Sequence, residues 1–122
     1  MIMKNFLVLL FVMAISLPSF AGLKEKHVIG KWKYKVEIDQ ETLTGIFKFE
    51  KKEGKLTGEV ISNDGEAYTF TKVEIRENNI LYFELVPEYE IMKANLTIED
   101  KKFTGTIGNY EGEIAITGEK VE

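Results

Sequence analysis

No cysteine occurs among the 122 residues, so neither a disulfide framework nor a thiolate nucleophile or metal ligand is available. Histidine occurs once, at His27, and beyond residue 21 serine occurs once, at Ser62. Ser–His catalysis needs both groups at one place with an orienting acid. Ser62 instead abuts the turn sequence Asn63-Asp64-Gly65, and His27 lies in the leading stretch LKEKHVIG. One imidazole without thiols also falls short of the usual zinc ligand sets. Calcium needs only oxygens. The acidic pairs Asp39/Glu41, Asp64/Glu66, Glu88/Glu90 and Glu99/Asp100 nevertheless fall at turns, where acids are expected as solvated residues, and none fits an EF-hand loop. Glu50 and Glu84 are on strands beside Phe49 and Phe83, so they should face water rather than each other across a cleft. The ten glycines are dispersed, with no phosphate-binding loop. The expectation is a protein without catalysis, metal or cofactor.

Basic excess is lacking too. The net charge is −4. Polyanion affinity rests on Lys and Arg neutralising phosphates, so nucleic acid is not an expected partner. Long apolar runs are confined to the start, MIMKNFLVLLFVMAISLPSFA. Lys4 precedes an apolar run from Phe6 to Leu17, and Ser19 and Ala21 supply small residues before a cut. That pattern is expected to be a secretory signal cleaved after Ala21. Its 12-residue apolar run is short of the about 20 residues of a spanning helix. No integral membrane segment is therefore expected after processing, and the protein should be secreted or periplasmic. Losing Lys4, the one charged residue of that stretch, leaves residues 22–122 at −5. They are expected to form a single β-domain with one core.

What residues 22–122 do contain is alternation. The period is two, with no helical stretch. In VIGKWKYKVEI, Trp32, Tyr34, Val36 and Ile38 share one face, and Lys31, Lys33 and Lys35 share the other, solvated one. Further runs follow over 42–51, 55–62, 66–76, 80–86, 89–99, 103–108 and 111–118, separated by turn residues such as Glu53-Gly54 and Asn63-Asp64-Gly65. In the 66–76 run Tyr68 and Phe70 are in one phase and Val73 and Ile75 in the other, so a bulge is expected near Thr71-Lys72. In 80–86 both faces are apolar, which would leave Ile80, Tyr82 and Val86 as an exposed patch. The sequences KLTGEV, KFTGTI and AITGEK each place a Gly soon after a turn, suited to a bend or a close approach of a neighbouring strand.

Eight short strands with tight turns and no room for crossovers make an all-β, eight-stranded antiparallel up-and-down meander. It can close into a barrel or fold into a two-sheet sandwich, and closure removes the edges. Eight strands enclose a lumen that side chains fill or that holds one small ligand. The candidate lumen residues are Phe47, Phe49, Tyr68, Phe70, Phe83, Met92 and Phe103, with Gly45, Gly58, Ala94 and Gly105 as small neighbours that leave space. A lumen wholly filled by Phe and Tyr would leave a ligand no room.

Gly30-Lys31-Trp32 at the head of the first strand, followed by the meander, resembles the lipocalin-like (calycin) β-barrels. The resemblance implies a Gly-x-Trp signature in which Trp32 packs across the closed barrel end as a structural residue. It also implies a basic residue near the last strand stacking on the Trp, for which Lys120 is the candidate, and a small hydrophobic ligand in the lumen. The chain is similar as well to small exported bacterial β-barrel proteins. Two functions are thus expected to compete: binding of a small apolar or amphipathic ligand, and an interaction module or inhibitor that meets an envelope or extracellular protein partner through loops and outer face.

Overall fold

Alternating strands joined by connections of two to six residues pair with their sequence neighbours at every step but one, and the first and last strands pair as well. The computed structural model describes residues 22–122; the expected signal sequence and its cleavage site lie outside the described residues. A single helical turn, α1 (Glu25–Val28), precedes nine strands: β1 (Gly30–Ile38), β2 (Glu41–Lys52), β3 (Lys55–Ser62), β4 (Ala67–Thr69), β5 (Lys72–Arg76), β6 (Ile80–Leu85), β7 (Met92–Glu99), β8 (Lys102–Asn109) and β9 (Gly112–Lys120). They form one sheet in the order β4-β3-β2-β1-β9-β8-β7-β6-β5, every ladder antiparallel. One continuous sheet replaces the two-sheet alternative. Among the described residues, no helix is long and apolar enough to cross a membrane.

There are nine strands rather than eight, and the barrel is open. The extra strand comes from the 66–76 run, whose apolar phase changes where a bulge was expected. The chain breaks there instead. Tyr68 on β4 stands opposite Val60 of β3, while Val73 on β5 stands opposite Phe83 of β6. At the break, the Phe70 N–H donates to the Gly58 carbonyl (2.8 Å) and the Thr71 N–H donates to the Glu84 carbonyl (2.8 Å). Two adjacent residues thus bind opposite margins of the sheet. No ladder joins β3 to β5, so the sheet curls into a half-barrel with a seam between them. The sheet edges are blunted by a three-residue strand on one side and by the outward Lys72, Glu74 and Arg76 on the other.

The expected sixth strand also starts later, at Met92 rather than Tyr89. Pro87 has no N–H to give a ladder, and the chain crosses 86–91 as a loop tied down where Asn109 Nδ2 donates to Glu90 Oε2 (2.7 Å). Alternating up and down strands put the connections 39–40, 63–66, 86–91 and 110–111 at one end of the half-barrel. The other end holds α1, the C-terminus and the connections 53–54, 77–79 and 100–101.

Glycines within the strands serve close approach. A Cβ on Gly58 would stand 2.8 Å from the Lys48 carbonyl oxygen and from the Phe49 ring. Gly45 lies under the Tyr34 ring, and Gly118 under Phe103. The space these small residues leave is therefore taken by aromatic rings leaning over them, not left open.

Candidate functional site

The inward positions of β2, β6 and β8 and the break at Phe70 carry the large apolar rings, so curling the sheet brings them together. Phe47 has its centroid 5.1 Å from Phe83, 6.0 Å from Phe70, 6.0 Å from Phe103 and 6.4 Å from Phe49. Phe70 stacks on Phe83 at 4.1 Å. All five are buried. Tyr68 and Met92 sit at the margin of this cluster, half-buried, with the Tyr68 hydroxyl donating to Glu66 Oε2 (2.6 Å). The seven candidate lumen residues are thus one cluster and its fringe, and the centre of the half-barrel is occupied by their own rings. Tyr34 adds a stacked ring 4.6 Å from Phe47. Its hydroxyl is held above the ordinary tyrosine range, first by burial and then by the negative charge of Asp64.

The Gly30-x-Trp32 motif closes one end. Trp32 is buried, and its indole Nε1–H donates to the Val28 carbonyl (2.8 Å), which pins α1 over the end of the sheet. Lys120 holds its ammonium 5.8 Å from the centre of the Trp32 ring and donates to the His27 carbonyl (3.4 Å). Gly30 has φ of +135°, and a Cβ there would collide with the carbonyl of Glu122, to which the Lys31 N–H donates (3.1 Å). Glycine is needed because the C-terminal strand end passes so close. The Lys row lies outside as solvated residues, Lys31 beside Glu122 (3.6 Å) and Lys35 beside Glu37 (3.9 Å).

The expected outer patch of Ile80, Tyr82 and Val86 forms only at its end: Val86 is exposed, Ile80 is half-buried and Tyr82 is covered. Tyr82 is only 5% exposed, because the Arg76 guanidinium lies 3.6 Å over its ring. Arg76 is held there by Glu74 (2.6 Å), and the Tyr82 hydroxyl donates to Glu84 Oε2 (2.5 Å). Burial first, and the hydrogen bond and charge of Glu84 after it, push the Tyr82 hydroxyl up to about 12. Sequence alternation places Tyr82 outside correctly but cannot see the cross-strand Arg76 that covers it.

The seam holds a cleft of about 720 Å³, which no single strand announces in the sequence. Its apolar lining is Leu23, Leu56, Phe70, Val73 and Ile75, and Lys24, Lys55 and Lys72 stand among the polar lining residues. The two carboxylates at the cleft are engaged: Glu25 with Lys51 (2.9 Å), and Glu74 with Arg76 (2.6 Å) and more loosely with Lys72 (4.0 Å), which leaves Lys24 and Lys55 without a carboxylate among the lining residues. The cleft is thus locally cationic on an acidic protein. Lys55–Thr57 of β3 and Lys72–Arg76 of β5 each ladder on one side only, which leaves strand edges facing it. Among the described residues, no group of three or more His, Cys, Asp or Glu side chains is placed to hold a metal ion.

No family model matches the chain. No curated protein matches it. Two solved structures resemble it. A redesigned β-barrel, mFAP1, bound to DFHBI superposes with a TM-score of 0.57 at 15% identity, covering 80% of this chain and 97% of that one. A second redesigned β-barrel, b11L5F_LGL, superposes with a TM-score of 0.55 at 15% identity, covering 80% of this chain and 95% of that one. At this identity the likeness is one of fold, and it places the chain among curled antiparallel β-barrel sheets.

Proposed function

We propose that the protein is an exported binding protein for a small apolar or amphipathic ligand, and that the ligand lodges in the seam between β3 and β5. The observation that carries this reading is the cleft itself: an apolar floor ending on Phe70, bordered by three lysines, where the barrel fails to close. A cleft of this size, with convergent polar groups around an apolar floor, suits a small molecule. The core rings fill the centre, so Phe70 is the member of the cluster that reaches the ligand. A carboxylate or sulfonate head group fits beside Lys24, Lys55 and Lys72. The redesigned barrel bound to DFHBI supports the idea that a sheet of this shape can hold a small molecule.

Titration with anilinonaphthalene sulfonate, an apolar anion whose emission rises in a dry site, tests this. Saturable one-to-one binding is expected, weakened by charge reversal at the exposed Lys55 (Lys55→Glu) and abolished by Leu56→Trp, which fills the cleft. Binding unaffected by both substitutions in proteins with the parent's thermal midpoint would sink the seam as the site.

A further inference from the structure

The end of the half-barrel opposite α1 gathers two features that lie scattered in the sequence. The first is apolar exposure. Tyr89 is 94% and Tyr110 83% exposed, and Val86 and Ile91 stand out beside them from the 86–91 connection. Ile38, Leu43 and Ile114, at the ends of β1, β2 and β9, continue an apolar lip around the mouth. The remaining large exposed apolar residues, Ile29 and Val121, belong to the other end. Tyr89, Ile91 and Tyr110 border one cleft of about 520 Å³ between the 86–91 connection and the β8–β9 hairpin.

The second feature is charge. The pairs Asp39/Glu41, Asp64/Glu66 and Glu88/Glu90 all arrive at this end, joined by Glu111 and Glu113. Its four connections, 39–40, 63–66, 86–91 and 110–111, and the flanking strand residues Glu41, Asn109, Gly112 and Glu113 include no Lys or Arg, and Lys93 is the one cation lining the cleft. Acids alone would be ordinary turn residues. Solvent-facing tyrosines set among them are different, because rings this exposed bury little surface in the monomer. Tyrosine supplies contact area at small entropic cost and a face for a cation.

We propose that this acidic, tyrosine-bearing end is a docking surface for a basic segment of a partner protein, one in which Lys or Arg alternates with apolar residues. The apolar residues enter the cleft between Tyr89 and Tyr110. The cations meet Glu88, Glu111 and Glu113 and the ring faces. A second copy of this chain is a poor occupant, because the same end of another molecule is equally acidic and repels it. The site is independent of the seam, which opens toward the other end of the half-barrel.

The test uses two fluorescein-labelled peptides, one alternating Arg with Leu and one alternating Glu with Leu, titrated against the protein at low and high salt. The Arg–Leu peptide should bind saturably, the Glu–Leu peptide should not, and salt should weaken the binding. The double variant Tyr89→Ser/Tyr110→Ser should weaken it about tenfold or more, the size expected when two central aromatic anchors are lost. Glu88→Lys/Glu111→Lys should weaken it as well. All these residues are exposed, so both variants should keep the parent's thermal midpoint and its seam binding of anilinonaphthalene sulfonate. Absence of saturable binding, equal binding of the two peptides, or indifference to both variants overturns the proposal. So does a concentration-dependent dimer in light scattering that the tyrosine variant abolishes, which would assign the face to self-association.

Discussion

Phe70 and Phe83 stack nearly parallel, 4.1 Å between ring centres and 16° between planes, across the one margin of the sheet that no ladder closes. Phe70 belongs to the break between β4 and β5, and Phe83 lies at the middle of β6. Together with the hydrogen bonds from the Phe70 and Thr71 amides, this contact holds the crossing against the curled sheet.

Phe70→Ala should therefore cost more than its own burial. A buried Phe truncated to Ala typically costs about 3–5 kcal/mol. The additional expectation is local: the amides of Phe70 and Thr71 should exchange with solvent deuterium faster, while those of β1 and β9 keep their protection relative to global stability. Chemical denaturation and hydrogen exchange measure both parts. Uniform loss of protection across all nine strands would show that the crossing is not a separate hinge.

Trp32 is the only tryptophan, so its emission reports the closed end alone. In Trp32→Phe the Val28 carbonyl loses its donor, and an unpaired buried acceptor costs about 1–3 kcal/mol before the smaller ring is counted. Lys120→Met removes the cation above the ring and its long, exposed bond to the His27 carbonyl, for an expected loss of about 0.5–1 kcal/mol and a measurable shift in Trp32 emission. Equal losses in the two variants, read from denaturation midpoints, would contradict this division of roles.

Tyr82 predicts an alkaline limit. Its ordinary value of 10.0 is pushed up to about 12 in the folded protein, so the fold favours the protonated hydroxyl. Below pH about 10, folded and unfolded chains both hold the proton and the contribution is whole. Between about 10 and 12 the unfolded chain binds fewer protons than the folded one, so stability falls as pH rises. Tyr34 and Tyr68, also raised, add to the same slope. Tyr82→Phe should flatten part of it. Denaturation midpoints compared at pH about 9 and about 11.5 measure the change; an identical slope in the variant would exclude Tyr82 as a contributor.

The lipocalin-like resemblance implied a barrel, a structural Trp with a basic residue beside it and a ligand in the lumen; no family model supports it, and the structure shows an open half-barrel in which the geometry around Trp32 is explained by its own contacts. Gly30 needs its positive φ because the C-terminus crosses it. Trp32 needs a donor partner because it is buried, and Lys120 reaches the ring. The ligand site was less legible. Phe47, Phe49 and Phe83 are recognisable as inward residues from alternation alone. Whether they line a space or fill it depends on distances between strands far apart in sequence.

By itself the sequence determined the all-β class, the antiparallel meander, the inward face of each strand and the place where the 66–76 run changes phase. These follow from the period of two and from turn residues, which act over a few positions. Only the tertiary structure decided that the phase change splits a strand and leaves a seam, because that depends on which margins Phe70 and Thr71 can reach at once. It alone put Arg76 over Tyr82, rings over Gly45, Gly58 and Gly118, and four acidic connections with Tyr89 and Tyr110 at one end. Each of these is a contact between residues that chain folding brings together and local pattern cannot relate.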